Sequence, residues 1–246
     1  MAAPTEFVWV LSSFISEEDA VRCNQIVKEL EDEGIIISVM GDFPGMNKIF
    51  DCNIYGNHNL NVWNSFCVHN LNASGFKSLI LSSELSGEEI RELSLRNHDR
   101  NIDLEMIVNG NLEVIVSKDD FTNLNDGKDF IISNDADYAT LEDKKRKKFK
   151  YKVFFDYNRQ SHIINKDCLC LIEEINEIKH MGLDSLILDC RYSNEKYTSQ
   201  ILSIYTESLK NKDQEELTKY KYQIMDFSQS YINKGNYIEG RLHEDK

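Results

Sequence analysis

The chain has 246 residues, of which 41% are hydrophobic, so it can bury one large core or two small ones. Its formal net charge of −14 at pH 7 disfavours general binding to nucleic-acid backbones or anionic membranes, although it leaves room for a local basic patch. No stretch approaches the roughly 20 apolar residues of a membrane span, and no signal-peptide pattern opens the sequence. Six cysteines without a CxxC pair indicate reduced thiols. We therefore expect a soluble, cytoplasmic protein with no membrane partner.

The N-terminal part of the chain alternates strand-like and helix-like segments. Apolar residues at helical spacing predict a helix over 17–31, which Gly34 would end. Short apolar runs predict buried strands at 7–11, 35–39, 52–56 and 78–82.

Two more helices and a strand are predicted before this pattern changes. Trp63, Phe66, Cys67 and Leu71 have the spacing of residues on one helical face. Ser86 and Glu89 have the spacing of a capping box, which predicts the start of another helix. A further strand is expected at 103–108.

The pattern changes after this strand. Alternating apolar and polar residues between polar loops predict a β-rich insertion over 109–166. The alternation of helices and strands then resumes. Its predicted elements are a helix at 167–181, a strand at 185–190, helices at 194–210 and 213–232, and a tail at 233–246.

Continuous apolar strands that alternate with amphipathic helices indicate an α/β protein with a parallel sheet covered on both faces. We count about six strand–helix units, with the insertion before the last strand. A (β/α)₈ barrel needs eight units, whereas an open doubly wound sheet tolerates six, so periodicity leaves both architectures open. Neither GxGxxG nor GxxxxGK[ST] follows a strand, which disfavours nucleotide binding.

Five segments, collinear and covering most of the chain, resemble stretches of one known family. They are NLNVWNS (59–65), similar to LNVFNS; LSSELSGEEIREL (81–93), similar to LSPELSLEEI; DLEMIVNGNLEVIVS (103–117), similar to the strand ELEVFVHG and the hairpin after it; and the longer stretches 149–175 and 182–209. That family is the collagenase-like peptidases of unassigned catalytic type, peptidase family U32. The order and spacing of the segments carry the resemblance.

The resemblance implies a TIM-type (β/α) barrel that is incomplete here. The strand at 7–11 corresponds best to the third strand of the family barrel, and the strand at 185–190 to the eighth. The chain 1–246 would then be a single, partial barrel domain with the insertion 109–166 and the tail 233–246. Because an incomplete barrel has two open edges, the chain could be a truncated or split member, or obtain the missing strands from a partner subunit or a second copy.

The resemblance also raises the question of an iron–sulfur cluster. Family members with a known activity resemble iron–sulfur proteins, whose four cluster cysteines follow the strand at 103–108 and continue through the insertion after it. Here no cysteine lies between Cys67 and Cys168, and the position matching the first cluster cysteine falls at Asp120 or a neighbour. Carboxylates are poor substitutes for thiolates on such clusters. We therefore predict no cofactor and no metal, which removes a requirement of the family's oxygen-independent hydroxylation of RNA bases or quinone precursors.

Four polar residues follow predicted strands, and the resemblance assigns them to the C-terminal mouth of the barrel, where active sites of this fold lie. They are Asn61, Asn64, Glu84 and Asn109. Their side chains could bind a polar substrate. Alternatively, Asn61 caps a helix, and Glu84 and Asn109 are loop-forming polar residues.

Arg191 and Tyr192 match the family sequence GRY directly after the last predicted strand. A guanidinium at this position could bind a carboxylate or phosphate through two hydrogen bonds. Alternatively, it forms an ion pair with Asp189 or Glu195 that fixes the loop.

Four residues match the family motif in the insertion: Asp156, Arg159, His162 and Asn165. His162, with a pKa near neutral, is a weak candidate for a general acid–base, and Asp156 is a second weak catalytic candidate. The alternative is a structural histidine whose hydrogen bonds are satisfied.

Other motifs give weaker signals. Cys168 and Cys170 would point in different directions on the predicted helix, which favours packing over metal binding. The basic run 144–150 could contact RNA phosphate, but a charge run is more often solvated. No Ser–His–Asp, Cys–His or HExxH pattern is present, so peptidase activity rests on the family name.

These observations predict a divergent member without a cluster that binds a polar or anionic ligand at the barrel mouth. One alternative is an active peptidase or an enzyme that hydroxylates bases of tRNA or rRNA. Another is a truncated fragment or accessory subunit without catalysis of its own.

Overall fold

A computed structural model describes residues 7–97, 101–121, 130–134, 139–143, 150–156, 158–210, 212–228, 231–238 and 240. Its chain divides into two compact units. The first unit comprises residues 1–107, 177–187 and 235–246, and the second comprises 108–176 and 188–234.

The first unit is built on parallel strands that pair in chain order. These strands are β1 (Phe7–Val10), β2 (Ile37–Gly41), β3 (Ile54–Gly56), β4 (Phe76–Ile80) and β5 (Asp103–Gly110), the last three residues of which belong to the second unit. A later segment of the chain joins this unit beside β5, where Asp184 Oδ2 accepts a hydrogen bond of 2.8 Å from the backbone N of Leu104. The next strand, β12 (Ser185–Asp189), pairs with β5.

Helices connect the strands of the first unit. They are α1 (Glu17–Asp32) between β1 and β2, α2 (Ser65–Ala73) between β3 and β4, and α3 (Gly87–Asn97) between β4 and β5. The predicted capping box is confirmed, because Glu89 N donates to Ser86 Oγ and Ser86 N donates to Glu89 Oε2. Gly34, with φ of +84°, ends the first helix as predicted.

The core of the first unit lies between the strands and one face of each helix. Ala20 and Val27 of α1, Val68 and Leu71 of α2, and Ile90 and Leu93 of α3 are buried, as are Val39, Ile54, Leu79 and Leu104 of the strands. The predicted helical face is right at Leu71, which is buried on α2, and wrong at Trp63 and Phe66. The second helix begins at Ser65, after Trp63, and the side chain of Phe66 is 77% exposed because α2 packs through Val68 and Leu71.

The second unit contains an antiparallel sheet. Its strands are β6 (Glu113–Ser117), β10 (Ser161–Ile164), β9 (Lys150–Phe155), β8 (Ala139–Asp143) and β7 (Phe130–Asn134), in that spatial order. Ala139, Val153 and Ile163 form a small core in this sheet. The remaining elements are β11 (Cys168–Cys170), α4 (Ile175–Ile178), α5 (Glu195–Ser208), α6 (Gln214–Phe227) and β13 (Ile232–Asn233), and the last two residues of α4 belong to the first unit.

The helix predicted at 167–181 is wrong. Residues 168–170 form β11, which pairs antiparallel with the end of β5 and parallel with β13, and α4 is a single turn. All five residues from Cys168 to Ile172 are buried, so this run has no polar face that would distinguish a helix from a strand. On a strand, Cys168 and Cys170 point to the same side rather than to different ones.

The described residues therefore form a mixed α/β protein with a mainly parallel sheet and six α-helices, an arrangement compatible with an incomplete barrel. Within the described residues, none of the helices combines the length and the apolar character that crossing a membrane requires.

Candidate functional site

The buried carboxylate of Glu113 is the centre of a charged cluster in the second unit. Its side chain is 2% exposed. Glu113 Oε2 accepts hydrogen bonds from His162 Nδ1 at 2.8 Å and from the Tyr192 hydroxyl at 2.9 Å, and it lies 3.7 Å from Arg191 Nη1. A buried carboxylate is costly unless it is paired, and these partners supply the pairing.

Strand pairing brings His162 to Glu113. Strands β6 and β10 are antiparallel neighbours, with His162 opposite Val116 and Ile164 opposite Glu113. The register shifts between Ile163 and Ile164. Because Ile163 packs into the small core of the sheet, alternation along the strand directs His162 to the other face.

Arg191 is held by the last residue of β12. Its Nε and Nη2 donate to the two carboxylate oxygens of Asp189 at 2.9 and 2.8 Å. The guanidinium carbon lies 5.5 Å from the centre of the Tyr192 ring, and that ring stacks on Phe154 with 4.6 Å between ring centres. The loop after β12 is thus fixed by ionic and aromatic contacts.

These contacts set the charges of the cluster. Burial alone would raise the pKa of Glu113, but the hydrogen bond from His162, the charge of Arg191 and the hydrogen bond from Tyr192 together hold that pKa below its ordinary value. The hydrogen bond to Glu113 raises the pKa of His162 despite partial burial, and nearby Asp156 adds to the increase. The protonated, cationic form of His162 is therefore favoured.

The second imidazole nitrogen of His162 is enclosed. Its Nε2 is buried without a hydrogen-bond partner among the described residues, and Asp156 Oδ2 lies 3.7 Å away. A general base needs an unprotonated nitrogen within reach of a substrate proton. Because Nδ1 is bonded to Glu113 and Nε2 is enclosed beside Asp156, neither ring nitrogen meets this requirement.

Asp156 and Arg159 form the turn between β9 and β10. Asp156 Oδ1 accepts a hydrogen bond of 2.8 Å from Gln160 N, and Arg159 has a left-handed φ of +63°. The Arg159 side chain donates to Asp120 Oδ2 at 2.8 and 2.9 Å. Asn165 closes the base of the sheet through its backbone N, which donates to Leu112 O at 2.8 Å.

Asn109 is fully buried in the second unit. Its Nδ2 donates to Leu169 O at 3.2 Å, and its Oδ1 accepts a hydrogen bond of 3.0 Å from the Tyr197 hydroxyl. The amide therefore takes part in an internal network and does not line an open surface.

The other three predicted residues lie in the first unit. Asn61 adopts a left-handed φ of +56° and its Oδ1 accepts a hydrogen bond of 2.8 Å from Ser82 Oγ. Asn64, rather than Asn61, caps α2 by accepting a hydrogen bond from Cys67 N at 3.0 Å. Glu84 lies in the turn between β4 and α3.

The comparison with known families gives one clear result. The family model described as "Peptidase family U32" matches residues 3–245. This chain belongs to peptidase family U32. No curated protein sequence matches this U32 chain. One solved structure, that of the U32 peptidase Mk0906, matches it with 10% sequence identity and a TM-score of 0.29, over 44% of this chain and 61% of that one. The U32 chain thus spans less than two thirds of that protein's length.

The environment of Cys168 and Cys170 does not fit the ligands of an iron–sulfur cluster. Cys168 and Cys170 are buried, and their Sγ atoms contact the hydroxyls of Tyr197 at 3.5 Å and Tyr205 at 3.9 Å. Burial raises the pKa of Cys168 to about 11 and also raises that of Cys170. A cluster requires thiolates, which this environment disfavours. Asp120 is engaged by Arg159, and the described residues include no group of three or more His, Cys, Asp or Glu placed around a metal position.

The structure brings together five residues of the second unit: Glu113, Asp156, His162, Arg191 and Tyr192. Sequence reasoning missed Glu113 as a site residue. The available signal was a lone carboxylate at the start of an alternating apolar strand, which also fits a solvent-facing position. The basic run 144–150 lies outside the described residues apart from the backbone of Lys150.

Proposed function

We propose that this U32 protein binds a polar or anionic ligand at Arg191 without hydrolysing it. The proposal rests on the hydrogen bonds and the exposure of the Arg191 guanidinium. Asp189 binds Nε and Nη2 and so orients the group, yet 38% of the Arg191 side chain is exposed. Nη1 lies 3.7 Å from Glu113, beyond hydrogen-bond distance, and can donate to a ligand.

A small polar cavity next to Tyr192 supports the same proposal. It has a volume of about 30 Å³, enough for a water molecule or one polar ligand atom. Asn111, Lys152, Tyr192 and Asn194 are among its lining residues. The side-chain amides of Asn111 and Asn194 each have an N–H group that can donate to an oxyanion, whereas the Tyr192 hydroxyl already donates to Glu113.

The state of His162 favours binding over hydrolysis. Its Nδ1 is bonded to Glu113, its Nε2 is enclosed beside Asp156, and its pKa is raised. Removal of a proton from water would need the opposite condition, an accessible neutral imidazole. In our proposal His162 is a positioning residue that keeps Glu113 and Tyr192 in place.

The experiment measures binding of inorganic phosphate and acetate by isothermal titration calorimetry. We expect Arg191→Lys to weaken phosphate binding about tenfold, because lysine keeps the charge but loses the planar fork that Asp189 orients. Arg96→Lys is the matched control, because Arg96 is an exposed arginine that forms a comparable ion pair with Glu92 on α3. Equal phosphate affinity in all three proteins would overturn the proposal.

The second candidate function is peptide hydrolysis by the same cluster. The Glu113–His162 contact of 2.8 Å has the carboxylate–imidazole geometry of hydrolytic sites, and this observation keeps the candidate open. Hydrolysis of fluorescent gelatin, measured for the wild type and for His162→Gln, tests it. Turnover by the wild type that His162→Gln abolishes would establish the peptidase and contradict a purely binding role.

We also propose that the chain carries no iron–sulfur cluster. The raised pKa values of the cysteines support this, as does the Asp120–Arg159 pair at the position that resembles the first cluster cysteine. After anaerobic incubation with iron and sulfide, we expect no absorbance band near 400 nm, within roughly the region typical of such clusters. Stoichiometric bound iron with that band would contradict the proposal and reopen RNA-base hydroxylation.

For the whole chain, we propose an incomplete TIM-type barrel with 109–166 as its insertion and 233–246 as its tail. The support is the parallel pairing of β1 to β5 in chain order with helices between strands. A partner subunit or a second copy would supply the missing strands. Native mass spectrometry tests this: a second copy gives a dimer mass, whereas a folded monomer in the absence of any partner would contradict it.

A further inference from the structure

A separate cavity lies in the first unit. It has a volume of about 410 Å³, within the range of roughly 300–1,000 Å³ typical of small-molecule sites. The loop after β1 and the first turn of α1 form one side of it, and the loop after β2 forms the other. Ligands of parallel α/β sheets commonly bind at this position, beyond the carboxyl ends of the strands.

The interior of the cavity is mainly apolar. Ile15 and Ala20 line it from the first side, and Phe43 and Ile49 line it from the second. Ala20 belongs to the core, being buried on the inner face of α1, whereas the other three side chains are half-buried. An apolar group entering the cavity would cover surface that water now contacts, which is favourable in proportion to the area covered.

Two opposite charges lie on the lining, those of Glu17 and Lys48. Neither forms an ion pair with another described residue, in contrast to Lys28 of α1, which contacts Asp51 at 2.6 Å. Ser16, which also lines the cavity, is already engaged, since its hydroxyl donates to Asp19 and accepts from Asp19 N. The lining therefore offers an apolar surface, one available carboxylate and one available ammonium group.

We propose that this cavity binds a free α-amino acid with an apolar side chain. The side chain occupies the surface of Ile15, Phe43 and Ile49, the ligand ammonium group pairs with Glu17, and the ligand carboxylate pairs with Lys48. An anion without an ammonium group would meet Glu17 with like charge, and a cation without a carboxylate would leave Lys48 unused. Charge complementarity thus selects a zwitterion.

The test uses calorimetric titration of the full chain with L-leucine, leucinamide and N-acetyl-leucine. Leucinamide lacks the carboxylate, and N-acetyl-leucine lacks the ammonium group. We expect leucine to bind at least about tenfold more tightly than either analogue, since each analogue loses one charged contact. No detectable leucine binding, or equal binding of the three ligands, would overturn the proposal.

Side-chain substitutions assign each contact. Lys48→Met should weaken leucine binding about tenfold but leave leucinamide binding unchanged, because leucinamide has no carboxylate to lose. Glu17→Gln should show the converse pattern, with N-acetyl-leucine insensitive to the substitution. If each substitution instead weakens binding of its matching analogue as much as it weakens binding of leucine, Glu17 and Lys48 do not make the proposed contacts.

Three matched controls separate this site from general effects. Glu18→Gln removes a neighbouring acid of the same helical turn, and Lys28→Met removes a lysine outside the cavity. Neither should change leucine binding. Arg191→Lys should also leave it unchanged, so failure of the proposed oxyanion site and failure of this amino-acid site give different results.

Discussion

The carboxylate of Glu113 makes two titrating residues depend on each other. Its pKa is lowered and that of His162 is raised, both mainly because of the pairing between them. The lowered pKa of Glu113 contributes stability that is complete above its ordinary value of 4.5 and is lost as the pH falls through the folded-state value. The raised pKa of His162 contributes stability that is complete below 6.5 and is lost as the pH rises through the folded-state value.

The first prediction follows from these two directions. Both contributions are complete between the ordinary pKa values of 4.5 and 6.5, so the pair stabilises the fold most in this window. Urea unfolding of the wild type between about pH 6 and pH 9 should therefore show a larger loss of stability than the same comparison for His162→Gln. His69→Gln, which changes an exposed histidine of α2, should behave as the wild type. Parallel pH dependence in the wild type and His162→Gln would contradict the pairing.

The second prediction concerns the amide of Asn109. Tyr197→Phe removes the hydroxyl that donates to Asn109 Oδ1 at 3.0 Å and leaves this oxygen buried without that donor. We expect a loss of about 1–3 kcal/mol in the free energy of unfolding. Tyr222→Phe, at a side chain that is 60% exposed, is the control and should change little. A loss as small as that of the control would show that Asn109 finds another donor.

For individual residues, the sequence predicted which side chains would lie in the site better than it predicted their hydrogen-bond and ion-pair partners. Arg191 was expected to bind a ligand or to pair with Asp189 or Glu195; the structure has the pair with Asp189, and ligand binding stays a prediction. Glu113 was not predicted, because its partners His162 and Tyr192 lie 49 and 79 residues away in the chain. Such a contact depends on strand register, which local spacing does not contain.

Among the elements, β5 ends at a glycine that cannot be replaced without strain. Gly110 has a φ of +145°, and a Cβ atom there would lie 2.6 Å from the backbone O and the Cβ of Asp189. The third prediction is that Gly110→Ala lowers the free energy of unfolding by roughly 2 kcal/mol or more, because the new Cβ would collide with Asp189 and the backbone would be strained. The collision would also displace Asp189, which orients Arg191. Gly45→Ala is the control, because its Cβ would meet no atom within 4 Å and its φ is −88°. Equal stability of the two variants in urea would contradict the close approach.

The fourth prediction concerns the start of α2. Asn64→Ala should lower the free energy of unfolding by about 1 kcal/mol, because the side chain caps Cys67 N. Asn64→Ser should restore most of that stability, since serine is also a good cap. Thermal unfolding distinguishes this role from ligand binding. If Asn64→Ser and Asn64→Ala were equally unstable, the cap would not explain the asparagine.

The elements were predictable where their patterns had a polar face. The segments of α1 and α5 show apolar residues at helical spacing beside exposed ones, and each forms a helix within two residues of the expected range; α3 begins where its capping box predicts. The helix predicted at 213–232 begins as expected but ends at Phe227, five residues early, and Ile232 belongs to β13, which pairs with β11. The segment that became β11 has no polar face, and its strand exists because Leu169 pairs with Gly110, 59 residues earlier. Tertiary pairing decided an assignment that local pattern left ambiguous.

In the whole molecule, the two units are interleaved along the chain. The chain passes from one unit to the other after residues 107, 176, 187 and 234, so neither unit is one continuous segment. The fifth prediction is that unfolding in urea shows one transition, because neither unit can complete its fold while the other's segments are unfolded. The two tryptophans, Trp9 and Trp63, report the first unit by fluorescence, and the extent of labelling at Cys190, measured by peptide mass spectrometry, reports the second. Separate midpoints for the two probes would contradict this prediction.

For the whole molecule, the family resemblance predicted what hydrophobic periodicity alone could not, namely the family to which the chain belongs. Alternating strands and helices correctly predicted a mixed α/β protein with a parallel sheet, but they could not decide between a barrel and an open sheet. Collinear motifs predicted membership of the U32 family, which is confirmed over residues 3–245. Division of the chain into two units was not predicted, since it depends on contacts between segments far apart in sequence.

The antiparallel sheet of the second unit has its first and last strands side by side. The chain departs at Glu113 and returns at Ile164, and Asn165 N bonds to Leu112 O across this base. A sheet whose chain enters and leaves at neighbouring strands tolerates insertions and deletions at its far edge. The strand β7 forms the edge of this sheet farthest from Glu113, so it could lengthen or shorten while Glu113 and His162 kept their geometry, whereas Ala139 of β8 packs in one core with Ile163. The same property makes that edge strand a suitable place to attach a reporter or an epitope without touching the charged cluster.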